Sequence, residues 1–186
     1  PFRCLGQVER SYLLFEAAGG LLIVDQHAAQ ERVLYERYLD ELEAGRARAQ
    51  ALLVPLKLQL PASRVEEVLS RAAGLKRAGF EVEAFGRTTL QVTAAPAVFK
   101  KDAGIQEAVL GILDNLGSEG KAAAKALHDT AALVACKAAV KAHDPLSAAE
   151  ASALLDELKT CRDTPSCPHG RPAVLSLTRD ELARRF

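Results

Sequence analysis

The 186-residue chain has no methionine, no net charge and no apolar run long enough to span a membrane. Each absence narrows the reading. A chain read from its own initiator begins with methionine, so a segment of a longer protein is expected. Lysine plus arginine equals aspartate plus glutamate, 24 of each, and a neutral domain gains little from counterion release on nucleic acid. Duplex DNA should therefore be bound only weakly by this chain alone. With neither a spanning run nor a secretory leader, the expected setting is the cytoplasm. There the four cysteines, Cys4, Cys136, Cys161 and Cys167, read as thiols rather than disulfides and are free to meet a metal. Hydrophobic content of 49% and charged content of 26% belong to an ordinary folded domain with a core.

The pattern of residues predicts an α+β fold. Extended segments at 2–7, 12–16 and 21–25 are divided by Val8-Glu9-Arg10-Ser11 and by Ala17-Ala18-Gly19-Gly20, whose glycines suit a hairpin turn needing positive φ. Leu21 to Val24 read as a buried strand ending in Asp25. An amphipathic helix runs from His27 to about residue 44, with Val33, Leu34 and Tyr38 for packing and Arg32, Arg37 and Asp40 on its wet side. Residues 50–60 are extended, since Pro55 excludes a central helix. Ser63 and Glu66 form a capping box for a helix ending at Gly79. A hairpin over 80–85 and 88–93 follows, then a helix over 103–116 closed by Gly117-Ser118-Glu119-Gly120. An Ala-rich helix spans 121–143, and Ser147 caps another to residue 159. After a polar loop over 160–169 come a strand at 173–177 and a helix capped by Thr178 and Glu181 that runs to Phe186. Residues 1–60 and 119–186 would make one lobe from both chain ends, with 61–118 an inserted helix–hairpin–helix lobe.

Chemistry concentrates in three places. Asp25, His27 and Glu31 stand at a strand-to-helix junction, where sites on sheets commonly sit. His27 and Glu31 are four residues apart, so they leave one helix face a turn from each other. The same spacing also describes an ordinary surface hydrogen bond. Cys167-Pro168-His169 sets two metal-binding side chains on one side of an extended segment, stiffened by proline, with Arg171 beside them. Cys136 lies on the Ala-rich helix next to Lys137, where packing alone is the commoner role. Together Asp25, His27, Glu31, Cys136, Cys167 and His169 form a mixed nitrogen, oxygen and sulfur donor set. Thiolates favour zinc, and the carboxylates suit Mn²⁺ or Mg²⁺. Such cations activate water and stabilise a leaving oxygen in phosphodiester cleavage.

These residues carry a resemblance. Asp25-Gln26-His27-Ala28, then Glu31, then Glu36 resembles the endonuclease signature of the MutL C-terminal domain family of DNA mismatch repair. Ala135-Cys136-Lys137 and Cys167-Pro168-His169-Gly170-Arg171-Pro172 resemble that family's next two elements, in order. The resemblance implies a Mn²⁺-dependent nicking endonuclease acting on one strand of duplex DNA, with zinc in a structural or regulatory place. It implies metal ligands at His27, Glu31, Cys136, Cys167 and His169 and an activity-bearing carboxylate at Asp25, with Gln26 and Glu36 in support. Glu36 lies about 140° around the helix from Glu31, which suits a shared ligand role poorly and leaves a supporting ion pair as an equal alternative. Lys137 and Arg171 would contact phosphate. The lobe from both chain ends would dimerise and cut, and the inserted lobe would be external and regulatory. The family also carries a Phe-x-Arg element near its C-terminus, and here the sequence stops at Phe186.

Gln50-Ala51-Leu52-Leu53-Val54-Pro55 resembles the Gln-x-Leu-x-x-Pro peptide by which such nucleases engage the replication sliding clamp; an edge strand is the plainer reading of Gln50, Leu52, Leu53 and Pro55. A clamp threaded on DNA would supply the local concentration that a neutral domain lacks. Further expected partners are a second copy of the chain covering an apolar sheet face, the ATPase portion of the same protein and a mismatch-recognition protein, in a bacterial cytoplasm at the nucleoid. No ATP site is read in this chain. The competing reading is a non-catalytic dimerisation and clamp-docking domain whose zinc is structural.

Overall fold

The computed structural model describes residues 2–45, 47–116, 123–139, 145–162, 166–168 and 170–186. The expected helix closure at 117–120, the two ends of the Ala-rich helix (121–122 and 140–143), Asp144 and His169 lie outside the described residues. The chain is α+β and divides into two compact units, Pro1–Glu36 with Ala139–Phe186, and Arg37–Ala138.

In the first unit the strands β1 (Arg3–Val8), β2 (Tyr12–Ala17), β3 (Gly20–Asp25) and β7 (Val174–Thr178) form an antiparallel sheet in the order β1-β2-β3-β7. Strands from the early and the late parts of the chain thus share one sheet. The β1–β2 turn is made by Glu9 and Arg10, both at φ near +50°, the twist that a tight hairpin favours. Gly20 serves a different purpose from the turn the sequence suggests. A Cβ on it would sit 2.0 Å from the Leu177 carbonyl oxygen, so only glycine lets β7 approach β3. Alternation sends Leu13, Phe15 and Val24 to one face, where they pack with Ala29 and Val33 of α1 (Gln26–Glu43). Ala151, Leu154, Leu155 and Leu158 of α6 (Ala148–Lys159) complete that core. Ser147 caps α6 with the reciprocal Glu150 bonds that the sequence predicts. Thr178 does the same for α7 (Arg179–Ala183) with Glu181. That helix closes at Ala183, short of the expected run to Phe186.

The opposite sheet face carries exposed apolar side chains among the described residues of this unit. Val8, Tyr12 and Leu175 are exposed there, with Leu14, Ile23 and Leu175 in register across three strands.

In the second unit β4 (Ala49–Gln59), β6 (Thr89–Pro96) and β5 (Glu81–Ala84) form an antiparallel sheet ordered β4-β6-β5. Because β4 pairs with β6, it belongs with the 61–118 segment rather than with the strands before it. The register shifts between Ala51 and Leu56, leaving Leu52 to Pro55 out of the ladder, consistent with a proline that has no N–H to donate. The capping box expected at Ser63 does not form. Pro61 takes the N-cap position of α2 (Ala62–Ser70) with no side-chain bond, placing Ser63 inside the first turn. Arg71 then breaks the expected single helix, and α3 (Ala72–Arg77) follows. Its end is a left-handed cap: Gly79 N–H bonds Lys76 O and Phe80 N–H bonds Leu75 O. The helices α4 (Ile105–Leu116) and α5 (Ala123–Ala138) pack closely at Gly111, whose Cβ would meet Leu133 at 2.8 Å. No helix among the described residues is long and apolar enough to cross a membrane.

Candidate functional site

The junction of β3 and α1 is held by backbone and side chain together. Asp25 donates its N–H to the Ala173 carbonyl at 2.9 Å. Its Oδ1 accepts from the Ala28 N–H at 3.0 Å, so Asp25 is the N-cap of α1 and satisfies one of the helix's orphan donors. Gln26 is buried; its N–H bonds the Ser11 carbonyl at 2.9 Å, and its side chain accepts from Gln7. One turn along, His27 Nε2 stands 3.3 Å from Glu31 Oε1, with the Glu31 side chain 6% exposed and that of His27 35%. The pair expected from the sequence is therefore formed, with the carboxylate inside and the imidazole at the edge.

The segment 166–172 reaches this junction from far along the chain. Ser166 and Pro172 form an isolated antiparallel bridge, and Cys167 N–H bonds the Arg171 carbonyl at 2.8 Å. Gly170 N–H bonds the Cys167 carbonyl at 2.9 Å, with Gly170 at φ +81°. The described residues Cys167, Pro168 and Gly170 thus belong to a turn, where the sequence predicts an extended segment. Glycine at the left-handed position and proline on either side drive the chain back on itself. Cys167 is 1% exposed and packs against Ala28 of α1 and Ala173. Arg171 is exposed.

Three further residues stand apart from expectation or extend it. Arg32, read as a wet-side residue, is 7% exposed. Its Nε donates to the Ser166 carbonyl at 2.6 Å, and its guanidinium lies 3.5 Å from Glu36. Glu36 is buried, and its Oε2 accepts from the Arg162 N–H at 2.8 Å. A Glu four residues after an Arg on one helix is the sequence signal for this pairing; the Ser166 partner has no local signal. Gly104 is the third. It sits at φ +90° with a hypothetical Cβ 2.3 Å from the Lys137 carbonyl oxygen.

Cys136 and Lys137 lie in the last turns of α5, in the second unit, both half-buried. In the same unit Gln50 Nε2 donates to the Phe99 carbonyl at 2.9 Å. Leu53 and Val54 are strongly exposed, and Leu52 and Pro55 are half-buried. Among the described residues, no three His, Cys, Asp or Glu side chains are grouped to hold a metal. The first unit supplies a His27–Glu31 pair, and Cys167 is packed against Ala28 of the same helix. These are imidazole, carboxylate and thiol donors of the kind that suit zinc and manganese.

Fold and site define a two-unit α+β domain with a His27–Glu31 pair at a strand–helix junction and, among the described residues, exposed apolar side chains on one sheet face. A sequence model described as the MutL C terminal dimerisation domain matches residues 5–146, and the chain belongs to that family. It is 43% identical over 187 residues to the DNA mismatch repair protein MutL of Elusimicrobium minutum, covering 100% of this chain and 31% of that protein. It is 34% identical to the MutL of Clostridium tetani, covering 99% of this chain and 30% of the relative. With the MutL of Symbiobacterium thermophilum the identity is 39%, over 99% of this chain and 30% of the relative. The chain spans about a third of the length of these relatives.

Proposed function

We propose that the chain is the dimerising, metal-dependent nicking endonuclease portion of a DNA mismatch repair protein. One observation carries the reading: Cys167 is buried against Ala28 of the helix that carries His27 and Glu31. The two longest motif elements, more than a hundred residues apart in sequence, thereby share one place. His27, Glu31 and Cys167, with His169, would hold Mn²⁺ or Mg²⁺ for cleavage and Zn²⁺ in a structural or regulatory place. A bound divalent cation supplies Lewis-acid polarisation of a phosphodiester and a more acidic water. The chain's own part is to keep the donors aligned. Glu31, buried beneath His27, orients the imidazole, and Asp25 holds a negative charge at the start of α1. Lys137 and Arg171 would contact backbone phosphate, which carries no sequence information. Supercoiled plasmid with Mn²⁺ tests the reading: wild type opens circles and Asp25→Asn does not. Equal nicking by both overturns the role given to Asp25.

The second reading, a non-catalytic domain with a structural zinc, is favoured by two observations. Asp25 is already engaged as a helix cap, and Cys167 is buried as structural cysteines are. Metal-dependent nicking by the purified protein decides between them.

A homodimer is supported by the uncovered face of the first unit's sheet, carrying Leu14, Ile23 and Leu175 in register with Val8 and Tyr12 exposed beside them. Apolar surface of that kind is covered by a partner in most soluble proteins. Docking to a sliding clamp is supported by the unpaired stretch of β4, where Leu53 and Val54 project fully into solvent. The rest of the mismatch repair protein, including its ATPase portion, and a mismatch-recognition partner complete the proposed assembly, acting on duplex DNA in the bacterial cytoplasm.

A further inference from the structure

We infer that Arg32 is a positioning residue, which with Glu36 clamps the Cys167-bearing segment onto α1. The guanidinium of Arg32 donates to the carbonyl of Ser166, the residue directly before Cys167, across a sequence separation of 134. A buried cation on a backbone carbonyl is a charge-assisted hydrogen bond, stronger than a neutral one. Glu36 neutralises that cation at 3.5 Å and also accepts from the Arg162 N–H, across a separation of 126. The incoming chain is thus gripped at Arg162 and again at Ser166, both times by one ion pair on one helix. Neither contact is apolar packing, so neither is replaced by general burial. A carbonyl left without its buried donor would be costly, which fixes the segment's height along α1. That height is what places Cys167 against Ala28, one residue after His27. Tyr35, whose ring lies 5.3 Å from the Arg32 guanidinium, stacks on the same cation and restricts its rotamer.

The functional consequence rests on the nuclease reading, but the clamp itself does not, and the test separates the two. In metal-free intact protein, Cys167 is alkylated only when its segment opens, because its side chain is buried. Iodoacetamide labelling is followed for each cysteine peptide by mass spectrometry. Arg32→Met is expected to speed labelling of Cys167 by roughly 10- to 100-fold, the range for losing a hydrogen bond to a charged group. Cys4 and Cys161, which pack on the sheet core of the same unit, should keep their rates. Glu36→Gln keeps an acceptor for Arg162 while removing the charge, and should give a smaller rise at Cys167 alone. An unchanged Cys167 rate overturns the inference. So does an equal rise at all cysteines, which would mark Arg32 as a residue of the fold at large. If Arg32→Met does not fold, Arg32→Lys and Glu36→Gln carry the same comparison. In a wild type that nicks with Mn²⁺, Arg32→Met should lose nicking along with its closed segment. A wild type that does not nick defeats the nuclease reading and leaves the labelling result standing on its own.

Discussion

Asp25 combines two roles that substitution can pull apart. Its Oδ1 accepts from the Ala28 N–H at 3.0 Å, a cap bond worth about 1 kcal/mol. Its negative charge at the helix N-terminus adds about 0.3–1 kcal/mol through the helix dipole. Asparagine caps as well as aspartate but carries no charge, whereas alanine does neither. Asp25→Asn should therefore lose only the dipole contribution, and Asp25→Ala about 1.5–2 kcal/mol in all. At about 2–4 °C per kcal/mol for a chain of this size, the melting temperature should fall by roughly 1–4 °C for asparagine and 3–8 °C for alanine. Nicking of supercoiled DNA with Mn²⁺ should fail in both, since neither supplies a carboxylate. The order of stabilities tests the cap and the nicking assay tests the charge. If Asp25→Asn melts as low as Asp25→Ala, the cap reasoning is wrong. If Asp25→Asn nicks at the wild-type rate, this residue is a helix cap and nothing more.

Further outcomes follow from the uncovered surfaces and from close packing. Leu175→Asp, on the exposed sheet face, should leave the fold intact and weaken self-association by about 100-fold, since an unpaired buried charge costs about 3 kcal/mol; an undiminished dimer mass by light scattering would locate the interface elsewhere. Leu53→Ala should abolish sliding-clamp binding at no cost in stability, because Leu53 makes no buried contact. It is a cleaner probe than Gln50→Ala, which also removes the bond to Phe99; unchanged clamp affinity in Leu53→Ala removes the docking proposal. Gly104→Ala combines a left-handed backbone with a Cβ 2.3 Å from the Lys137 carbonyl and should cost about 2–4 kcal/mol in urea unfolding. A loss below about 0.5 kcal/mol, the scale of a neutral surface change, would mean that α4 shifts freely against α5.

Periodicity made most of the elements legible. The short apolar runs at 12–16 and 21–25, divided by turn residues, gave the strands, and the reciprocal Ser147–Glu150 and Thr178–Glu181 boxes gave two helix starts at the right residues. Such signals are local, and so are the failures they produced. Ser63 with Glu66 has the letters of a capping box, yet Pro61 with its fixed φ occupies the cap first. β4 reads as a continuation of the first strands, and only its pairing with β6 places it in the other unit. The candidate donors were singled out by their side-chain chemistry and by the resemblance of their motifs to the family's. Arg32 was missed because a polar residue on a helix is solvent-facing by default, and nothing local announces a carbonyl that arrives from 134 residues away. The turn at Cys167 was missed in the same way: proline suggested extension, while Gly170 at φ +81° and the Ser166–Pro172 bridge close the segment.

The five-residue offset of Glu36 from Glu31, awkward for a shared ligand role, has a simple account on this helix. At about 100° per residue, positions 28, 32 and 36 advance by about 40° each and form one slowly turning stripe. Ala28 meets Cys167, Arg32 meets Ser166 and Glu36 meets Arg162, so the whole stripe faces the segment that carries the thiol. His27 and Glu31 make a parallel stripe, one residue earlier and about 100° around the helix. On the proposed nuclease reading, a signature that contains both stripes encodes two things, the candidate donors His27 and Glu31 and the residues that anchor the Cys167-bearing segment to the same helix. The spacing from the first glutamate to the second is then the distance from a donor to an anchor. Glu36 is explained by its Arg32 charge partner and by the Arg162 backbone N–H that it accepts from, with no need for it to touch a metal ion.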